Sequence, residues 1–143
     1  MYQFQKQKHK YDRAKKTEYN GLVYASHWEA KCAQELDYRL AANDLLRWEA
    51  QVRIPLVVNG YEVGTYEIDF VAYRKDGITE YIEAKGKAGD TPIWRLKWKI
   101  LQAMFADRKD VRPIILWQDP VIKGVKGGRL QYQEVAPIKK VKE

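Results

Sequence analysis

The chain has 143 residues, 45% of them hydrophobic and 31% charged, with a net charge of +7. That is enough apolar material for one self-supporting core, and it excludes a disordered chain. A single cysteine, Cys32, excludes an internal disulfide framework, and no apolar run approaches the roughly 20 residues that a membrane-spanning helix needs.

The opening stretch, MYQFQKQKHKYDRAKK, lacks the apolar centre of a secretory signal. The expectation is a soluble, intracellular protein with no membrane partner. Lys6, Lys8, Lys10, Arg13, Lys15 and Lys16 stand there against Asp12 alone. Residues 123–143 are basic as well, and the interior is slightly acidic. The predicted division is a basic, extended N-terminal arm (1–20), a core (21–122) and a basic C-terminal tail (123–143). Basic ends suit a polyanion, because each neutralised phosphate releases counterions. A solubilising fringe has the same composition.

YASHWEAKCAQELDYRLAANDLL reads as a helix. Ser26 and Glu29 have capping-box spacing, and Trp28, Cys32, Leu36 and Leu40 make one apolar face before Asn43-Asp44 ends it. EAQVRIPLVV reads as a strand that Pro55 directs to an edge or bulge. Asn59-Gly60 makes a hairpin turn into YEVGTYEIDFVAY, with a bulge at Gly64. ITEYIEAK returns as the next strand. After a glycine loop, Thr91 and Pro92 open a second helix as N-cap and first residue, with Ile93, Leu96, Ile100 and Met104 as its apolar stripe. VRPIILW is a further strand, and a hairpin is expected around Gly127-Gly128. The predicted class is α/β in the α+β sense, with the order helix, three-strand meander, helix, strand.

The chemistry concentrates in two of these strands. Strict alternation puts Tyr66, Ile68, Phe70 and Ala72 on one face of YEIDFVAY and Asp69 on the other. In TEYIEAK, Glu83 and Lys85 share a face opposite Ile82 and Ala84. Two turns fit the chain between them. A two-residue Asp76-Gly77 turn sets Asp69 against Ala84. A three-residue loop with Gly77 left-handed pairs Arg74 with Ile78 and sets Asp69 against Glu83. The apolar pattern favours the second, with Ile68, Phe70, Ala72, Ile82 and Ala84 on one core face. Opposed like charges destabilise a sheet, so this register makes sense with a cation between them. Hard oxygen ligands suit Mg²⁺ or Mn²⁺, and the Ala84 carbonyl is a further donor. Lys85 lies too far along to be merely a counter-ion, and is placed to orient a water and to stabilise charge developing on phosphorus. A solvated strand face closed by a salt bridge is the plainer alternative.

IDF, a hairpin and then EAK resembles the PD-(D/E)XK nuclease signature, with Asp69 as the Asp and Glu83-Ala84-Lys85 as the E-x-K. Ile68 stands where that signature has its proline. YASHWEAKCAQEL resembles the first helix of phage endonuclease I-type and related Holliday junction resolvases. The resemblance spans about Gly21 to Trp117. It implies a restriction-endonuclease-like core, α-β-β-β-α-β, with a mixed central sheet flanked by helices. It also implies that Glu29, which a capping box alone would explain, completes the catalytic set. The implied activity is Mg²⁺- or Mn²⁺-dependent endonuclease cleavage with one or two ions per site. The implied partners are branched or duplex DNA and a second copy of the chain, and the implied setting is phage recombination in the host cytoplasm. The second helix then brings Arg95, Lys97 and Lys99 to DNA, Lys87 in the glycine loop touches a phosphate, and the basic arm holds the duplex. A nuclease fold that only binds nucleic acid or a partner is the alternative, and a sequence-specific restriction-type enzyme a third.

Overall fold

The first helix, α1 (His27–Ala41), starts where its capping spacing predicts: Ser26 is extended, and its Oγ accepts the Glu29 N–H at 3.2 Å. The computed structural model describes residues 16–86, 91–118 and 141, and the backbone of 130–134. Before α1 the chain makes a small hairpin, β1 (Thr17–Tyr19) and β2 (Leu22–Tyr24), rather than continuing as an extended arm. Its turn is Asn20-Gly21, both with positive φ, a hairpin dipeptide of the same kind as Asn59-Gly60. Trp28, Cys32 and Leu36 are buried along α1 as expected, joined by Ala30 and Ala33. Leu40 is exposed, one turn beyond Leu36, the last buried residue of the helix.

After α1 come β3 (Leu45–Val58), β4 (Tyr61–Arg74), β5 (Thr79–Lys85), α2 (Pro92–Phe105), β6 (Val111–Gln118) and β7 (Leu130–Glu134). The chain is mixed α/β. The strands lie in the order β3-β4-β5-β6-β7, antiparallel except for β5 and β6, which run parallel on either side of the α2 crossover. β3 is an edge strand, which accommodates Pro55. The pairing slips by one residue between Leu56↔Gly64 and Val57↔Glu62, next to the glycine where a bulge is predicted. Leu130–Glu134, from the basic C-terminal stretch, adds the last strand; Gly127-Gly128 lies outside the described residues. Among the described residues no helix is long and apolar enough to cross a membrane.

Two apolar clusters cover the two faces of the sheet. One gathers Trp28, Cys32 and Leu36 of α1 with Phe70, Ala72, Ile82, Ala84 and Leu116. The other gathers Trp94, Trp98 and Leu101 of α2 with Ile54, Leu56, Tyr66, Ile68, Val71 and Ile115. The stripe predicted for α2 is displaced in its first half, while Ile100 and Met104 are partly buried against this cluster as expected. Ile93 is 72% exposed and Leu96 60% exposed, while Trp94, Trp98 and Leu101 face the sheet. The indoles bury more area than the aliphatic side chains beside them, so they set the rotation of the helix.

Ile68 overturns the single core face expected for β4: Phe70 and Ala72 pack under α1, but Ile68 and Tyr66 pack under α2. β3 switches with it, Trp48 and Ala50 lying on the α1 side and Val52, Ile54 and Leu56 on the α2 side. The switch falls on Gln51 and Asp69, the position the β3–β4 ladder skips between Ala50↔Phe70 and Val52↔Ile68. Gln51 has φ +54°, in the left-handed region that breaks the period-2 alternation of a strand.

Candidate functional site

The β4–β5 hairpin has the three-residue loop. Arg74 N–H donates to the Ile78 carbonyl at 2.9 Å, and Gly77 is left-handed at φ +89°. The register runs from Tyr73↔Thr79 to Phe70↔Ile82. The next step would set Asp69 opposite Glu83, and there the ladder stops. Asp69 Oδ2 instead accepts the Ala84 N–H at 2.8 Å. Asp69 thus sits in a gap between two strands, at the point where β4 changes face.

Glu83 is 5% exposed, which rules out a solvated strand face. Alternation from Ile82 and Ala84 turns it to the α2 side, with Tyr81 stacked on Phe105 of α2. Its Oε1 lies 3.0 Å from Lys85 Nζ, and its Oε2 is buried with no hydrogen-bond partner. In this state Lys85 pairs with Glu83, closer than its place along the strand suggests. Its ammonium also lies 4.5 Å from the centroid of the Trp94 ring, a cation–π contact.

Glu29 comes from the first turn of α1, whose N-terminus is tied to β6 by Trp28 Nε1–H donating to the Leu116 carbonyl at 3.0 Å. The Glu29 carboxylate accepts from the Ala25 backbone N–H and also feels the charges of Glu83 and Lys85. Its backbone thus takes the Ser26 cap, while its side chain reaches back past Ser26 to Ala25 and feels the charge of the acid pair. Burial is the largest cause that raises the carboxyl pKa of Asp69, well above the aspartate range. The charges of Glu83 and Glu29 add to it, while the Ala84 N–H and Lys85 oppose it. Burial raises Glu83 too, against Lys85 and Tyr66, and burial raises Glu29. Three carboxylates within electrostatic reach of one another, with one ammonium among them, are costly to keep ionised without further positive charge.

Asp69, Glu83 and Lys85 are thus brought together, with Glu29 in range, and Ala84 contributes its N–H. Among the described residues no group of three or more His, Cys, Asp or Glu side chains is placed to hold a metal ion as it stands. The donor chemistry nevertheless fits a hard divalent cation: two carboxylates meet in a gap of the sheet, and one buried oxygen lacks a partner. Of the residues expected at DNA, Lys16, Arg95 and Lys99 are exposed. Lys97 instead donates to the Thr65 carbonyl at 3.1 Å and helps hold α2 to β4. Lys6, Lys8, Lys10, Arg13, Lys15 and Lys87 lie outside the described residues.

Strict alternation hid one neighbour of the acid pair. Tyr66 reaches Glu83 only because β4 changes face at Asp69. A non-glycine left-handed residue inside a strand leaves no composition signal.

The chain matches, over residues 8–115, the family model described as "Protein of unknown function (DUF1064)". It belongs to this family. The match takes in α1, β3, β4, β5 and α2 whole and most of β6, and so every residue of the acid site. No curated protein and no solved structure matches the chain.

Proposed function

We propose that the chain is a metal-dependent DNA endonuclease with a PD-(D/E)XK-type site on a restriction-endonuclease-like core, acting on branched DNA in the manner of a junction resolvase. The observation that carries this reading is the buried, unpartnered Oε2 of Glu83, held beside Asp69 and Lys85. A buried carboxylate oxygen without a donor is expensive, and a bound cation removes that cost.

Asp69 and Glu83 would hold one or two Mg²⁺ or Mn²⁺ ions, with Glu29 and the Ala84 carbonyl as further donors. A divalent ion bound there supplies Lewis acidity at the phosphate and a more acidic water. The chain's own residues do the rest. Asp69 is fixed by the Ala84 N–H, so its carboxylate needs no reordering. Lys85, released from Glu83, donates to the phosphate oxygen on which charge builds as water attacks phosphorus. The P–O3′ bond breaks, giving a 5′-phosphate and, once the leaving oxygen takes a proton, a 3′-hydroxyl. Arg95, Lys99 and the basic termini contact phosphates, which positions DNA without reading its sequence. Two copies of the chain match the two-fold symmetry of a four-way junction.

The second reading is a binding protein that keeps this fold without turnover. It is favoured by the Lys85–Glu83 ion pair, which occupies the amine that chemistry needs. One experiment separates the two: incubation of a four-way junction, a flap, a duplex and a single strand with Mg²⁺, with EDTA, and with the Asp69→Asn and Lys85→Ala variants. Endonuclease activity gives Mg²⁺-dependent cuts, strongest in the branched substrates and absent in both variants. Tight DNA binding with no cut under any divalent ion supports the binding protein.

A further inference from the structure

Two groups beside Glu83, Tyr66 and Lys85, both contact a single indole, and one oxygen of Glu83 is left without a partner. Trp94 Nε1–H donates to the Tyr66 hydroxyl oxygen at 2.8 Å. An oxygen that has accepted this bond is left to turn its own proton towards the neighbouring Glu83 carboxylate, whose charge it feels. The face of the same indole carries the Lys85 ammonium, 4.5 Å from the ring centroid, and Lys85 Nζ lies 3.0 Å from Glu83 Oε1. Trp94 therefore steers both neighbours of Glu83, one through its edge and one through its face.

The indole is itself held. Thr91 caps α2 by accepting the Trp94 N–H at 3.2 Å, which sets where Trp94 enters the helix. Trp98 lies nearly parallel to the ring at 6.1 Å between centroids, and Trp117 meets it edge-on at 6.0 Å. Tyr66 shares this face only because of the inversion at Gln51 and Asp69.

We infer that Trp94 and Tyr66 are positioning residues for Glu83, which hold its carboxylate so that Oε2 is presented to a divalent ion. This rests on the acid site binding such an ion, as proposed above. Neither residue need touch the ion or the DNA. Partners of this kind orient a carboxylate ligand before it meets its cation, and their loss typically costs about 10–100-fold in metal affinity.

The test is calorimetric titration of the full chain with Mn²⁺, paired with nicking of plasmid DNA over a range of Mn²⁺ concentrations. The variants are Tyr66→Phe, Trp94→Phe, Glu83→Gln and Trp48→Phe. Tyr66→Phe removes only the hydroxyl. Trp94→Phe keeps an aromatic face and removes the N–H, so it serves if Tyr66→Phe fails to fold. Trp48→Phe makes the same indole-to-phenyl change on the α1 side of the sheet, where the lost N–H donates to Asp37 and not to a neighbour of Glu83. The expected result is Mn²⁺ binding weakened roughly tenfold or more in Tyr66→Phe and Trp94→Phe and lost in Glu83→Gln. The KM for DNA should stay unchanged, and excess Mn²⁺ should restore most of the nicking in the first two variants. Trp48→Phe should lower the melting temperature without changing the affinity. If wild type binds Mn²⁺ and Tyr66→Phe and Trp94→Phe match it within twofold, or if Trp48→Phe weakens binding as much as they do, the positioning role is wrong and the metal site stands. If wild type binds no Mn²⁺ and cuts nothing, the reading of the site itself is wrong, and the inference goes with it.

Discussion

Asp69 and Ala84 are joined by a side-chain-to-backbone bond of 2.8 Å just past the last pair of the β4–β5 ladder, Phe70 and Ile82. The bond holds a half-buried carboxylate in a gap between strands, facing a second acid. The folded chain resists ionising Asp69, chiefly because of burial and then because of the charges of Glu83 and Glu29. A carboxyl raised in the folded state contributes stability that is complete below its unfolded pKa and is lost as pH rises through its folded value. Asp69→Asn keeps an acceptor for the Ala84 N–H and removes the charge. At pH 7.5 it should melt roughly 2–5 °C above wild type, and the gap should close as pH falls towards about 4, the range of a free aspartate. Thermal unfolding across pH checks this. A gap of the same size at every pH would mean that the charge of Asp69 is not what is being relieved.

Glu29 has two roles that mutation can separate. Ser26→Ala removes the Oγ that accepts the Glu29 N–H, and should cost about 1 kcal/mol of stability with the proposed cleavage by the folded protein unchanged. Glu29→Gln retains an oxygen for the Ala25 N–H and loses the charge that faces Glu83. Its stability should change by less than about 0.5 kcal/mol, while cleavage falls at least tenfold. If Glu29→Gln leaves cleavage intact, Glu29 is only a helix cap.

Gln51 makes a third case. A left-handed residue in a strand costs roughly 1–3 kcal/mol unless it is glycine. Gln51→Gly should be neutral or mildly stabilising. Gln51→Val puts a β-branched side chain at φ +54°, and should cost roughly 2 kcal/mol while weakening divalent-ion binding by disturbing Asp69 across the ladder. Chemical denaturation and Mn²⁺ titration of the two variants make the comparison. Equal stabilities for Gly and Val would show that the inversion at this position carries no strain.

Arg39 and Glu80 supply a control three residues along β5 from Glu83, on the side of α1. Glu80 is 2% exposed, and both its oxygens take guanidinium N–H bonds from Arg39, at 2.8 and 2.7 Å. Arg39 also bonds Asp44 at 2.7 Å. Removing one partner strands a buried charge, so Arg39→Ala should destabilise by about 3 kcal/mol or more. The protein that stays folded should bind Mn²⁺ and cut DNA like wild type. Impaired binding in that folded fraction would mean that this pair reaches the site.

Much of the fold could be read from local chemistry. Ser26 and Thr91 announced both helix starts, and Asn59-Gly60 and the left-handed Gly77 set two hairpins. The loop of Lys75, Asp76 and Gly77 brought Asp69 level with Glu83, because register follows directly from loop length. What escaped were consequences of tertiary packing. The rotation of α2 was decided by Trp94 and Trp98 competing with Ile93 and Leu96 for the sheet, and periodicity allows either stripe. The β1–β2 hairpin hid in a segment taken for part of a basic arm, although Asn20-Gly21 carried the turn signal. The inversion at Asp69 escaped entirely, since strict alternation is an assumption about strands that Gln51 breaks. That same inversion delivers Tyr66 to Glu83, so the part of the site that was missed is the part that depends on it.

Counting bound Mn²⁺ by electron paramagnetic resonance, on wild type and on Asp69→Asn and Glu83→Gln, tests the central claim most directly. Wild type should sequester one or two ions per chain, EDTA should release them, and the two variants, still folded by circular dichroism, should take up few or none. A folded wild-type chain that leaves all of the Mn²⁺ free at about millimolar concentration would contradict the account.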